Sequence, residues 1–325
     1  MRLKISLLLI SIIAPLVSGS KFTGGSAGAS GNPSRTPQPQ VSTHLADKFK
    51  PEVTPQDQPL DPVNAVICAY ASYKAYSDGK DVETLLNDLG MNKPEFFDGR
   101  SAGTQGMVTS TDKFVLLAFR GTEPERLLDL LTDARFYLDK RSWTEGKVHN
   151  GFADALDAVW DTVKTQVKKQ AEKSGDPKPL WITGHSLGGA LATLAAYRFH
   201  RDGLRVNGVV TFGAPRVGNN TFKESFESNI ISLYRFAHRR DPVPNAPPKL
   251  LEIGYVDFSR ILSPDQPQWA PQRTPNSYYL VEIPGHVSGE IRRRQIPNMF
   301  RYHEMQGYLN ATKKRVPAND QSLLK

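Results

Sequence analysis

The residues best placed to do chemistry are a serine, an aspartate and one of two histidines, widely separated along the chain. Gly184-His185-Ser186-Leu187-Gly188 sets a hydroxyl between two glycines, the G-x-S-x-G pattern of a strand-to-helix turn that exposes a nucleophile. A serine hydroxyl attacks a carbonyl only after a base removes its proton. The sequence supplies an acid and then a base in the order such a set needs. Asp241 lies in His238-Arg239-Arg240-Asp241-Pro242, where Pro242 biases it toward extended backbone and fixes its carboxylate's direction. Two histidines compete for the base: His303, in Arg301-Tyr302-His303-Glu304-Met305, and His286, in Pro284-Gly285-His286. Both follow the last expected strand, and position at the entry to the final helix favours His303. The base would take the Ser186 proton and return it to a leaving alcohol, while Asp241 holds the imidazole tautomer. Two backbone amides would stabilise the tetrahedral oxyanion. Leu187, just after the serine, is one, and Thr122, after the sharp Arg120-Gly121 turn, is the other. Each residue also has a plainer reading: a tight glycine turn, a turn aspartate, a surface histidine, a β-turn. Their order and their places after strands argue for chemistry, of a kind that calls for no metal or organic cofactor.

The elements that must hold these residues can be read from hydrophobic spacing. Val63, Val66, Ile67, Tyr70 and Tyr73 recur at helical intervals, and Lys113–Phe119 is a strand running into Arg120-Gly121-Thr122. Residues 152 to 173 read as one helix, with Leu156, Trp160, Val163 and Val167 about a turn apart. Leu180–Thr183 is a short strand, followed by an Ala/Leu-rich helix to Phe199. Strands are expected at Val206–Phe212, Ile230–Ala237 and Tyr278–Ile283, with a helix near Asn220–Glu227 and a last one from about Met299 to Asn310. Alternating strands and helices predict an α/β fold with a predominantly parallel central sheet and helices on both faces.

The chain has 325 residues, 39% hydrophobic and 23% charged, enough for one full α/β core. Arg2 and Lys4 precede an apolar run from Ile5 to Val17 and then Ser18-Gly19-Ser20, so residues 1–19 read as a signal peptide and the remainder as exported, secreted or held in the cell envelope. Residues 20–57, rich in Gly, Ser, Pro, Thr and Gln, read as a flexible spacer. The folded domain is expected over 58–312 and a polar tail over 313–325. A net charge of +8 suits an anionic surface, a lipid membrane or nucleic acid, but no nucleic-acid-binding motif accompanies it. The single cysteine, Cys68, allows no internal disulfide and sits in apolar company, as a buried structural thiol would.

Four segments in register carry a family likeness: Phe119-Arg120-Gly121-Thr122, Val148-His149-Asn150-Gly151-Phe152, Gly184 to Ala190, and Phe212-Gly213-Ala214-Pro215-Arg216-Val217-Gly218-Asn219. Together, over about Ala65 to Leu309, the chain resembles the class 3 lipases, the filamentous-fungal triacylglycerol lipase type with bacterial and plant relatives. The resemblance implies an α/β-hydrolase fold, and a triad of Ser186, Asp241 and His303, since the family's histidine begins a similar terminal stretch. It also implies oxyanion donors at Thr122 and Leu187 and a lipid ester as substrate, with transient contact to a lipid surface. It favours triacylglycerol-like esters; a phospholipase, a short-chain carboxylesterase or a silent binding module on the same fold are the alternatives. Fungal members carry disulfides that this chain cannot form. The family's lid follows the FRGT-like loop; here Leu127, Leu128 and Leu131 give that segment an apolar face, with Leu130 where a tryptophan often stands, and a pairing of Arg120 with Asp133 at its base is an expectation.

Overall fold

Five consecutive residues, Val115–Phe119, form strand β3 and are all buried, the continuous apolar run that a strand covered on both faces requires. The computed structural model describes residues 43–52, 60–77, 79–99, 103–122, 137–172, 177–230, 232–238, 241–247, 261–262 and 303–324, all within one compact unit, Ser42–Lys325. Strands β1 (Glu95–Asp98), β2 (Gln105–Ser110), β3, β6 (Leu180–His185), β7 (Val206–Phe212), β8 (Leu233–Phe236) and β9 (Ile261–Leu262) make one sheet, in the order β1-β2-β3-β6-β7-β8-β9. β1 and β2 pair antiparallel and join β3 antiparallel; every pairing from β3 onward is parallel. The remaining strands, β4 (Leu138–Asp139) and β5 (Val148–His149), form a separate ribbon.

The alternation of side chains along a strand divides the core in two. Val115, Leu117 and Phe119 point to one face, with Ile182 and Val209, under helices α3 (Asn150–Asp157), α4 (Trp160–Ala171), α5 (Leu187–Arg201) and α6 (Asn220–Asn229). Leu116, Ala118, Trp181, Val210 and Phe212 point to the other, under α1 (Pro62–Lys74), α2 (Gly79–Asp88) and α7 (Met305–Lys313). This is the α/β-hydrolase layering. In the parallel part, Phe119 pairs with Gly184, His185 with Phe212, and Phe212 with Phe236. The carboxyl ends of β3, β6, β7 and β8 therefore share one rim, where open parallel sheets gather their ligand-binding loops.

Several boundaries differ from the sequence reading. The single helix expected over 152–173 is two, because the chain turns at Ala158-Val159; Phe152, Leu156, Trp160, Val163 and Val167 keep helical spacing across the break, so periodicity does not reveal it. Ile230 caps α6 instead of opening β8. Strands β1 and β2 carry no periodic signal in the sequence, since EFFD and QGMVTS lack a long apolar alternation. The last helix begins at Met305, and the strand expected at Tyr278–Ile283 lies outside the described residues.

The edges of the expected domain move outward as well. Leu45, Ala46 and Phe49, assigned to the spacer, are buried, and Phe49 stacks on Phe114 at 4.0 Å and meets Trp181 edge-on at 5.1 Å. One 3-10 turn, Leu45–Lys48, is too short to show a period. In the expected tail, Val316 is buried and Asp320 pairs with Lys48 at 2.8 Å. The segment read as a signal peptide lies outside the described residues; among those described, no helix is long and apolar enough to cross a membrane.

Candidate active site

Ser186 stands between the last residue of β6 and the first of α5, with φ 57° and ψ −129°. Among the described residues it is the only non-glycine at positive φ. Such a conformation costs roughly 1–3 kcal/mol and persists only where the surroundings enforce it. Here they do: the Ser186 amide donates to Phe212 O at 2.9 Å, and Gly189 N donates to Ser186 O at 2.9 Å. Gly184 and Gly188 face each other, and a Cβ on Gly184 would lie 2.8 Å from Gly189 N, so strand and helix pack at backbone distance. Ser186 Oγ is buried and makes no hydrogen bond among the described residues.

Asp241 lies beyond β8 in a short loop, its side chain inaccessible to solvent. Its carboxylate accepts three hydrogen bonds: from Val243 N to Oδ1 at 2.9 Å, and to Oδ2 from His303 Nδ1 at 2.8 Å and the Tyr308 hydroxyl at 2.7 Å. Burial first, and then the Asp241 charge, push the Tyr308 phenol well above its ordinary pKa, so it stays a donor. Arg216 pins the loop, donating from Nη1 to the carbonyls of Asn245 and, at 2.8 Å, Pro247. His303, just before α7, thus meets Asp241 through Nδ1, which directs Nε2 as its other ring nitrogen. Gly213, at φ 60°, makes room for the pair: a Cβ there would lie 2.8 Å from Asp241 Oδ2 and 3.0 Å from the His303 ring.

The loop after β3 lies against the nucleophile turn, since a Cβ on Gly121 would come within 2.6 Å of His185 O and 3.1 Å of the Ser186 Cβ. Thr122, next in the chain, lines a cavity of about 340 Å³ with His185, His303, Met305, Tyr73 and Tyr76. Leu187 opens α5, so its amide is among the first-turn N–H groups that have no acceptor within the helix. Leu187 thus adjoins Ser186 in the chain, and Thr122 follows the glycine that packs against the Ser186 side chain. His286 and the lid residues Leu127, Leu128 and Leu131 lie outside the described residues, as does Asp133. Arg120 donates to Gln105 Oε1 at 2.5 Å, and its expected pairing with Asp133 lies outside the described residues. Burial pushes the Cys68 thiol up, as an inert interior thiol requires. Among the described residues no group of His, Cys, Asp or Glu side chains is arranged to hold a metal ion.

The sequence alone assigns no role to Tyr308 or Tyr76, nor to Gly213 and Arg216, which it shows only as members of a shared segment. A signal for Tyr308 existed: Met305, Tyr308, Leu309 and Thr312 form the buried stripe of α7, which places the phenol on the same inward face that His303 leads into.

Residues 116–251 match the family described as Lipase (class 3). A lipase of Rhizopus niveus is 34% identical over 179 residues, 53% of this chain and 42% of that protein. Secreted mono- and diacylglycerol lipase A of Penicillium cyclopium is 32% identical over 168 residues, 51% of this chain and 53% of that protein. The chain thus spans about half the length of these curated relatives. Among solved structures, a mutant form of a Penicillium cyclopium protein, MDLA, superposes with a TM-score of 0.52 at 28% identity, covering 63% of this chain and 79% of that one. The lipase of Rhizopus microsporus var. chinensis gives 0.51 at 25% identity, covering 70% and 84%. With the sheet order and the four shared segments, these likenesses make the chain similar to the class 3 lipases over residues 116–251 and in fold.

Proposed function

We propose that this chain hydrolyses the carboxylic esters of lipids, acylglycerols first, through an acyl-enzyme on Ser186. His303 Nε2 takes the Ser186 proton as Oγ bonds to the ester carbonyl carbon, and the carbonyl electrons collect on oxygen, facing the Thr122 and Leu187 amides. Collapse expels the alcohol, which receives that proton from His303. Water, deprotonated by the same imidazole, then releases the fatty acid and restores the serine. Asp241 orients the ring and balances its transient positive charge. The observation that carries the reading is the buried Asp241–His303 hydrogen bond of 2.8 Å, at the rim where Ser186 is held at positive φ.

A second reading, phospholipid as substrate, is favoured by the +8 charge and by a relative, 28% identical, named phospholipase A(1) DAD1 of Arabidopsis thaliana. The secreted relatives support export of this chain too, with residues 1–19 as the cleaved leader. N-terminal sequencing of the secreted protein would test this, and a mature start other than near Ser20 would refute that cleavage.

Ser186→Ala is expected to abolish turnover of a soluble aryl ester while the circular dichroism spectrum stays unchanged. Retained turnover would mean that another group is the nucleophile. A panel of triacylglycerol, phospholipid and short-chain esters, assayed below and above their aggregation thresholds, separates the substrate readings.

A further inference from the structure

His185 sits one peptide bond before Ser186, and no step of the proposed reaction uses its ring. That residue is 5% exposed and both ring nitrogens are engaged. Nε2 lies 2.6 Å from the carbonyl oxygen of His303, and Nδ1 lies 2.8 Å from the Tyr76 hydroxyl. A carbonyl oxygen only accepts, so Nε2 carries the proton. Burial, and next the neighbouring His303 ring, hold the His185 imidazole well below its ordinary pKa, in its neutral form. Nδ1 then offers a lone pair to the Tyr76 O–H, and the tautomer is set from both sides.

The Asp241 contact fixes one end of the His303 ring, but a ring hinged on a mobile backbone still swings. His303 enters α7 through Glu304, an N-cap with no side-chain hydrogen bond, so the turn does little to anchor itself. The His185 ring supplies an anchor there, bonded to the His303 carbonyl and packed 4.6 Å from the His303 ring at 33°. Tyr76 extends the brace to the oxyanion loop, because its hydroxyl occupies the space beside Gly121 that a side chain would fill, and Arg120 lies over its ring at 5.6 Å. A neutral His185 also avoids placing a second cation against the imidazolium formed during turnover.

We propose that His185, oriented by Tyr76, is a positioning residue that clamps the His303 backbone and keeps the base in register with the hydroxyl on the adjoining residue, Ser186. This rests on the hydrolase reading above. Displacing a reacting group by about 1 Å can lower a rate roughly 100-fold, so a loosened base should slow the chemistry more than it weakens binding.

The test uses the full chain and a soluble aryl ester. His185→Phe keeps a ring but donates nothing to the carbonyl; kcat is expected to fall at least roughly tenfold with KM within about twofold. His185→Gln, whose carboxamide N–H can reach the same carbonyl, is expected to recover kcat to within about threefold of the parent. A folded His185→Phe protein with parental kcat, or a loss that Gln does not recover, overturns the proposal. Should His185→Phe fail to fold, Tyr76→Phe removes only the orienting O–H, and an unchanged kcat there overturns it equally. The downfield proton resonance of His303 Nδ1–H gives a readout independent of turnover. It should broaden in His185→Phe, and an unchanged resonance refutes the clamp even if the ester assay itself fails and takes the hydrolase reading with it.

Discussion

At the scale of single residues, the site is a set of polar groups buried where an unmet hydrogen bond is expensive. A carboxylate as enclosed as Asp241 is tolerable because Val243 N, His303 Nδ1 and the Tyr308 hydroxyl all donate to it. Tyr308 has a second task, accepting from His238 N at 2.8 Å, so one phenol ties the end of β8 to α7. Tyr308→Phe preserves the ring contact with Phe212 at 6.0 Å but removes one donor to the carboxylate and the hydroxyl that accepts from His238 N. Hydrogen bonds to charged groups contribute about 1.5–3 kcal/mol, so urea unfolding should show a loss of that order, with a lower kcat. A loss under about 0.5 kcal/mol would mean that the carboxylate finds another donor. Ser186, Asp241 and His303 were legible as candidates from residue type and order alone. Tyr308 and Gly213 were not: a tyrosine in an apolar stripe reads as core, and the need for an absent Cβ appears only once Asp241 and His303 stand beside it.

Elements were legible where their core face has a long period and illegible where it is short. β7 was read to the residue, but the turn between α3 and α4 was hidden by unbroken helical spacing. The start of α3 shows what holds such a junction together. His149 caps it, Nδ1 accepting from Phe152 N at 3.3 Å while its ring stacks on Phe152 at 3.7 Å. Protonating Nδ1 would turn that acceptor into a donor and break the cap. Burial, the larger influence, pushes the His149 pKa down to about 4. The unfolded chain therefore binds this proton near pH 6.5, and the folded one only near pH 4. Between those values the unfolded state holds more protons, so stability falls as pH drops from about 6.5 to 4, by about 3 kcal/mol from this group, and is full above about 6.5. His185, also held neutral by burial, adds a slope of the same sign. His149→Asn retains a capping oxygen without titrating there. Urea unfolding at about pH 7, 5.5 and 4 should show its dependence flatter than the parent's by about one proton; parallel curves would refute the assignment.

Across the whole molecule, the sheet separates two cores, and the segment taken for spacer closes one of them. Phe49 fills the space between Phe114 and Trp181, the Trp181 indole donates to Pro51 O at 2.9 Å, and Lys48 reaches Asp320 near the other end of the described chain. Composition hid this, because two or three apolar residues among many Ser, Pro and Gln carry no period, and their partners are distant in sequence. Phe49→Ala should therefore behave as a core truncation and not as a change in a linker, costing about 3–5 kcal/mol. For a unit of this size that is a fall in Tm on the order of 10 °C. Trp181 precedes Ser186 by five strand residues, about 16 Å along β6, so the damage falls at the end of the sheet remote from the proposed chemistry. Below the lowered Tm, kcat on a soluble ester should match the parent's. A Tm shift within about 2 °C would return residues 43–52 to the status of a spacer, since a side chain that closes a core cannot be removed so cheaply.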